Sequence, residues 1–123
     1  MDKVLNVLLV DDHKIVIDGI KSMLHGNKYF KVTGFALNGA EALSMIQTAE
    51  TSFDIVITDI FMPGMSGTDL CHAIKQFNSQ IKVLVLSMHN HVEYVKAAID
   101  ADADGYMLKT IGQSELLQAL QAI

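Results

Sequence analysis

The chain has 123 residues, half of them hydrophobic, and its formal net charge is −5. That length and composition fit one compact domain, residues 1–123, with a substantial core. Its nine basic residues are all lysines and are scattered, so we expect no direct nucleic acid binding. We also expect no membrane contact, because no apolar run approaches the roughly 20 residues that a membrane helix needs.

Short apolar runs alternate along the chain with segments in which apolar residues recur at helical spacing. That alternation is typical of βαβ units and a parallel sheet. The predicted strands are Leu5–Val10, Lys31–Ala36, Ile55–Thr58, Lys82–Ser87 and Gly105–Leu108. The predicted helices are Lys14–Leu24, Gly39–Ala49, Gly67–Phe77, His91–Asp100 and Gln113–Ile123.

The composition of the strands predicts their order in the sheet. Strands one, three and four are almost entirely apolar, as central strands covered on both faces should be. The second strand alternates between apolar and polar residues and should lie at an edge. Right-handed crossovers then favour the order 2-1-3-4-5. We therefore predict an α/β fold with a doubly wound, five-stranded parallel sheet and five helices, of flavodoxin-like topology.

Apolar residues at helical spacing predict which face of each helix meets the sheet. In the third and fifth helices the inward-facing residues are Leu70, Ile74, Phe77, Leu116, Leu120 and Ile123. In the fourth helix they are Val92, Val95 and Ile99. Glu93, Tyr94 and Lys96 should then face outward, which makes Tyr94 a candidate contact for a partner.

The single cysteine, Cys71, lies between apolar residues of the third helix and is expected in or beside the core. It cannot form a disulfide within the chain, and no second thiol completes a cysteine-rich metal site. A reducing cytoplasm is the simplest location for such a protein.

Charged residues follow three of the predicted strands at the point where each strand ends. Asp11 and Asp12 follow strand one, Asp59 follows strand three, and Lys109 follows strand five. Taken singly, Asp11 or Asp12 could equally be a helix N-cap and Asp59 a turn residue, and Lys109 would be read as a solvated side chain. Together they predict a site, because the carboxyl ends of strands one and three meet at the switch point of a doubly wound sheet.

The predicted carboxylate cluster is electrostatically costly. Carboxylates about 5 Å apart repel by roughly 3 kcal/mol per pair at an effective dielectric constant of 20, so such a cluster is expected only where it has a use. Its donors are all oxygens, with no histidine or cysteine positioned to join them, which favours Mg²⁺ over Zn²⁺. Because Mg²⁺ keeps open positions for water or phosphoryl oxygens, a phosphate ligand is expected.

An ordered set of residues resembles the receiver domain of two-component response regulators. The set is Asp11 and Asp12, Asp59 followed by Ile60, Phe61, Met62 and Pro63, then Ser87, Tyr106 and Lys109. The resemblance covers the whole chain. The short loops and the segment Ser87, Met88, His89 are most similar to the NarL/FixJ (LuxR-type) subfamily.

The resemblance implies a role for each matching residue. Asp59 would accept a phosphoryl group from a sensor histidine kinase or a phosphotransfer protein. Asp12 and Asp59 would bind Mg²⁺ directly, together with the backbone carbonyl of Phe61, while Asp11 would act directly or through water. Lys109 would pair with the phosphoryl oxygens.

The resemblance also implies how the signal leaves the site. Ser87 would move toward the phosphoryl group and Tyr106 would turn inward behind it, altering the face formed by helix four, strand five and helix five. Such a protein is a switch that catalyses only its own phosphorylation and dephosphorylation.

The chain stops at Ile123, within the apolar period of its last helix, so we expect a fragment of a longer regulator with a C-terminal DNA-binding effector domain. A free-standing phosphorelay shuttle is the alternative. The sequence leaves open whether the domain is a monomer or forms a phosphorylation-dependent homodimer through its output face.

Three other functions fit the sequence less well. A haloacid-dehalogenase-type phosphatase also uses a strand-end aspartate and Mg²⁺, but it carries Asp-x-Asp on strand one, whereas Asp11 and Asp12 are adjacent and no cap is inserted. Neither glycine motif of nucleotide-binding folds follows a strand. A pseudo-receiver that works without phosphate is disfavoured by the complete set of Asp12, Asp59, Ser87 and Lys109.

Overall fold

The computed structural model describes residues 3–49, 52–88 and 91–123, in which five strands alternate with five helices. The strands are β1 Leu5–Val10, β2 Phe30–Ala36, β3 Ile55–Asp59, β4 Lys82–Ser87 and β5 Gly105–Leu108. The helices are α1 Lys14–Leu24, α2 Gly39–Thr48, α3 Gly67–Phe77, α4 Val92–Asp100 and α5 Gln113–Ala122. Every predicted boundary lies within one residue of the observed one.

The five strands form one parallel sheet in the order β2-β1-β3-β4-β5. The predicted fold class and strand order are therefore confirmed. The central strand β3 is buried along its whole length, whereas β2 alternates between buried and exposed residues as an edge strand does. β1 lies directly beside β3, with Val10 opposite Thr58, so both strands end at the same edge.

Helices cover both faces of the sheet because successive side chains of a strand point to opposite faces. Leu8 and Val10 pack on one face in a cluster with residues of α2, α3 and α4. Val7 and Leu9 pack on the other face with residues of α1 and α5. Cys71 is fully buried in the first cluster, as predicted. Its thiol donates to the carbonyl of Ala101 at 3.2 Å, and burial raises the pKa of that thiol to about 11.

The helix faces match the prediction in α3 and α5 but not in α4. Four residues are buried as expected: Leu70, Ile74, Leu116 and Leu120. Ile123 is half-buried against the core. Phe77 is half exposed instead, because it is the last residue of α3 and the chain leaves the sheet through an exposed loop after it.

In α4 two of the three residues predicted to face inward are exposed. Val92 is 79% exposed and Ile99 is 65% exposed, whereas Val95 is half-buried, Ala98 is fully buried and Tyr94 packs partly against the core. The helix therefore meets the sheet mainly through a small side chain, which allows close packing, and Val92 and Ile99 point to solvent. Glu93 and Lys96 are exposed as expected.

The longest helices of the described residues, α1 and α3, have 11 residues each, and none of the described helices is long and apolar enough to cross a membrane.

Candidate functional site

The carboxyl edge of the sheet carries a group of buried polar side chains. Asp11 directly follows β1 and is 3% exposed, and Asp59 ends β3 and is 6% exposed. Ser87 ends β4 and is fully buried. Its carbonyl accepts a hydrogen bond from the backbone N–H of Lys109 at 2.8 Å, which holds the end of β5 beside β4. Three neighbouring strands thus deliver their polar ends to one place.

Lys109 joins the two buried carboxylates. Its Nζ lies 2.9 Å from Asp11 Oδ2 and 3.2 Å from Asp59 Oδ2, and all three side chains are at least nine-tenths buried. Burial and the charge of Asp11 raise the pKa of Asp59 above its ordinary value, despite the opposing effect of Lys109. Burial alone would lower the pKa of Lys109, but the two carboxylates outweigh it and raise that pKa. The lysine is therefore a fixed positive charge inside the site.

Asp12 contributes a buried carboxylate oxygen to the group. Among the described residues, no hydrogen-bond donor reaches its buried Oδ1 atom. The ring Nδ1 of His13 lies 3.0 Å from this oxygen, but not in the orientation of a hydrogen bond. An oxygen that is buried without a partner is costly unless it binds something else. The acidic donors Asp11, Asp12 and Asp59 thus fit a hard divalent cation.

His13 is the site residue that the sequence analysis missed. One donor atom from each of Asp11, Asp12, His13 and Asp59 lies within 4.8 Å of the others. The expectation that no histidine joins the cluster is therefore wrong. His13 is the N-cap of α1, so neither aspartate caps that helix. The sequence feature that could have identified His13 is its position directly after Asp12, where the chain enters α1.

The loop after β3 connects the site to α4. The backbone N–H of Phe61 approaches Asp59 Oδ1 at 3.4 Å. Phe61 has a half-exposed ring that meets the ring of Tyr94 edge-on, with centroids 4.8 Å apart. Tyr94 in turn stacks on His91 at 5.5 Å. The loop after β3 is therefore in direct contact with the start of α4.

The two predicted switch residues lie at the output side of the site. Ser87 is one residue beyond Leu86, which pairs with Asp59 in the sheet. Tyr106 lies in β5 opposite Val85 and is half-buried against the core. The structure thus brings Asp11, Asp12, Asp59 and Lys109 into one cluster, with Ser87 beside it and Tyr106 further along the edge strand. His89 lies outside the described residues.

Comparison with known proteins assigns this arrangement to a family. The sequence profile of the response regulator receiver domain matches residues 7–121. The chain belongs to the response regulator receiver family. Receivers as a class are phosphoacceptor switches that interact with histidine kinases and output domains and bind Mg²⁺ at an acidic pocket. This membership also weighs against the phosphatase alternative.

Relatives resemble this receiver over nearly its whole length. The nitrate/nitrite response regulator protein NarL of Escherichia coli K12 is 32% identical over 93% of the chain. A LuxR-family two-component response regulator from Aurantimonas superposes with a TM-score of 0.88, at 31% identity, over 98% of this chain and 84% of that one. RcsB from Salmonella enterica serovar Typhimurium, solved bound to a promoter in the presence of phosphomimetic BeF₃⁻, superposes with a TM-score of 0.85 at 30% identity. It is matched over 97% of this chain and 67% of that one.

The receiver is shorter than these relatives. It covers 52% of NarL, so the chain spans about half the length of the curated relatives it matches. The similarity to NarL and LuxR-type regulators confirms the predicted subfamily.

The raised pKa of Asp59 predicts how stability depends on pH. Without a cation, Asp59→Asn is expected to raise the free energy of unfolding, and to raise it most at neutral pH. A carboxyl whose pKa is higher in the folded chain binds its proton more tightly there, so it favours folding at low pH. That contribution is lost as the pH rises from the ordinary value of 3.8 through the raised pKa.

Urea unfolding with a chelator present, from below pH 3.8 to neutral pH, measures this effect. The stability gap between Asp59→Asn and wild type should widen as the pH rises. Asp100→Asn, at an exposed position that ends α4, is the control for loss of one carboxylate. A gap that narrows with rising pH would contradict the electrostatic account of the site.

Proposed function

We propose that Asp59 accepts a phosphoryl group from a phosphohistidine of a sensor histidine kinase or phosphotransfer protein, with Mg²⁺ as the usual cation. The observation that carries this proposal is the buried Lys109 ammonium, 3.2 Å from Asp59, beside an Asp12 oxygen that has no hydrogen-bond donor among the described residues. A fixed positive charge and an open cation position flank the same carboxylate. That is what transfer of a phosphoryl group to aspartate needs.

The chemistry asks for positioning and charge neutralisation. A carboxylate oxygen of Asp59 forms a bond to phosphorus as the phosphorus–nitrogen bond of the phosphohistidine breaks and the imidazole leaves. Lys109 pairs with a phosphoryl oxygen in the product. When bound, the divalent cation neutralises further phosphoryl oxygens, and Asp11, Asp12, Asp59 and the carbonyl of Phe61 would hold it. Lys109 lowers the pKa of Asp59 and so opposes the effects of burial and Asp11, which raise it.

Ser87 and Tyr106 are proposed to report the phosphorylation. Ser87 is buried at the end of the strand next to Asp59, so its hydroxyl has a short path to a phosphoryl oxygen. Tyr106 lies behind it on the neighbouring strand. Movement of the two would alter the face formed by α4, β5 and α5. The exposed Val92 and Ile99 on α4 give this face apolar surface for a partner.

For the whole protein we propose a regulator in which this receiver controls a C-terminal DNA-binding effector domain. Two findings support this: curated relatives are about twice as long, and RcsB, a structural relative, has been solved bound to a promoter. The phosphorelay shuttle and the phosphorylation-dependent homodimer stay open, as does the predicted cytoplasmic location.

The test is phosphorylation of the purified chain by phosphoramidate with Mg²⁺, followed by intact mass spectrometry. We expect one phosphoryl group per chain, lost in Asp59→Asn and lost on chelation. Asp100→Asn, which removes an exposed carboxylate from the end of α4, should be phosphorylated as wild type is. Uptake that persists in Asp59→Asn would refute the assignment.

A further inference from the structure

We infer that His13 supplies a nitrogen ligand to the cation of the acidic pocket, so that this receiver binds a divalent transition metal such as Mn²⁺ in preference to Mg²⁺. The inference rests on the proposed function, in which the pocket holds a cation. It concerns the identity of that cation and a residue outside the carboxylate set.

The position of the His13 ring matches that of a ligand. Its Nδ1 lies 3.0 Å from Asp12 Oδ1 and 3.3 Å from Asp11 Oδ1. Two adjacent ligands of an octahedral ion, each about 2.1 Å from the metal, are about 3.0 Å apart. The ring nitrogen is therefore about as far from each carboxylate oxygen as one corner of a coordination sphere is from its neighbours.

The contact between His13 and Asp12 is better explained by a shared cation than by a hydrogen bond. Asp12 Oδ1 is buried, and within residues 3–49, 52–88 and 91–123 it receives no hydrogen bond, even though the ring nitrogen is 3.0 Å away. A cation bound between the ring nitrogen and this oxygen would give both atoms a partner. Asp11 Oδ1 differs, because the ring nitrogen lies within hydrogen-bonding distance of it and the backbone N–H of His13 donates to it at 2.9 Å.

The local backbone explains how the ring reaches the pocket. His13 is the N-cap of α1 in an extended conformation, and its side chain makes no capping hydrogen bond in the described structure. Serine, threonine, asparagine or aspartate at such a position would stabilise the helix by about 1 kcal/mol. The side chain is 64% exposed, so the core does not hold it. The side chain of His13 therefore does not stabilise α1 as a cap, and its imidazole points toward the carboxylates instead.

Ligand chemistry decides which cation gains from this nitrogen. Mg²⁺ prefers oxygen ligands and keeps several waters, so an imidazole adds little to its binding. Imidazole suits the first-row transition metals, whose affinities for mixed nitrogen and oxygen sites rise from Mn²⁺ onward. His13 should therefore raise affinity for Mn²⁺ and leave affinity for Mg²⁺ nearly unchanged.

The test uses the untagged full chain with Mn²⁺ and Mg²⁺ as probes. Electron paramagnetic resonance measures the concentration of free Mn²⁺ and so gives the Kd of Mn²⁺. Displacement of bound Mn²⁺ by added Mg²⁺ then gives the Kd of Mg²⁺. Electron spin echo envelope modulation of bound Mn²⁺ detects a directly coordinated imidazole nitrogen. For wild type we expect a nitrogen signal and tighter binding of Mn²⁺ than of Mg²⁺.

Variants separate His13 from the other histidines. His13→Ala should lose the nitrogen signal and bind Mn²⁺ roughly tenfold more weakly, at the lower end of what disturbing a metal site costs, with the Kd of Mg²⁺ little changed. His72→Ala, at an exposed position in α3, should behave as wild type. Asp12→Asn should weaken the binding of both ions, which locates the signal in the acidic pocket.

A nitrogen signal that is absent from wild type, or that survives in His13→Ala, overturns the inference. So does an equal loss of affinity for Mn²⁺ and Mg²⁺ in His13→Ala. The proposed function survives each of these results if Asp59 is still phosphorylated with Mg²⁺. It fails separately if neither ion binds and no phosphoryl group is taken up.

Discussion

Replacing Lys109 with methionine is expected to lower the free energy of unfolding of the cation-free protein by about 3 kcal/mol or more, as removal of one partner from a buried ion pair does. The ammonium lies within 3.2 Å of both Asp11 and Asp59, and all three side chains are at least nine-tenths buried. Methionine keeps most of the side-chain volume but leaves two buried carboxylates without the ammonium group that neutralises them. The loss should therefore come from charge and not from a cavity.

Equilibrium unfolding in urea, in the presence of a chelator, measures this loss. Lys96→Met is the matched control, because Lys96 is exposed on α4 and its charge should contribute little. Adding Asp59→Asn to Lys109→Met should recover part of the stability, since it removes one of the repelling carboxylates. Mg²⁺ should recover part of it too. A loss no larger than that of Lys96→Met would show that water, and not Lys109, compensates the carboxylates.

The sheet and its acidic edge were predictable because each depends on local patterns that tertiary packing reinforces. Buried parallel strands must be apolar on both faces. Asp11 follows one mostly apolar strand and Asp59 ends another. The strand order then follows from the handedness of crossovers. Once β1 and β3 are known to be neighbours, the aspartates at their carboxyl ends can be placed together at one edge of the sheet without further information.

The face of α4 was not predictable in this way. Apolar residues lie on more than one side of this helix, and the large aliphatic residues Val92 and Ile99 are on the side that faces solvent. Ala98 is buried instead, because a helix packed closely on a sheet needs small residues at the contact. Hydrophobic size alone does not distinguish a face that packs within the domain from one left exposed, as Val92 and Ile99 are.

The position of His13 beside the acidic group was not predictable for a related reason. Residue types alone place a histidine next to two aspartates in the sequence but do not show which way its ring points. Only the direction of the chain at the N-cap of α1 places the ring nitrogen 3.0 Å from Asp12 Oδ1. Such contacts between near neighbours depend on backbone angles, which a pattern of residue types does not specify.

Replacing Gly67 with alanine is expected to destabilise the protein by about 3 kcal/mol or more, as overpacking of a rigid contact does. A Cβ atom at Gly67 would overlap the carbonyl oxygen of Asp59 and lie 2.8 Å from the Cα of Ile60. These are backbone atoms of the end of β3 and the loop after it, so no side chain can move aside. The first residue of α3 thus has to be glycine for the helix to approach the strand that carries Asp59.

Gly19→Ala is the control, because the same substitution should change the free energy of unfolding in the opposite direction there. Gly19 lies within α1, and outside the adjacent backbone of that helix no described atom comes within 4 Å of a Cβ built there. Alanine should therefore stabilise the protein by up to about 1 kcal/mol through its higher helix propensity. Urea unfolding of the two variants should give changes of opposite sign, and a Gly67→Ala variant as stable as wild type would contradict the close approach of α3 to β3.

Because the clash falls on the backbone of Asp59 itself, Gly67→Ala should also slow phosphorylation by phosphoramidate, whereas Gly19→Ala should leave that rate unchanged.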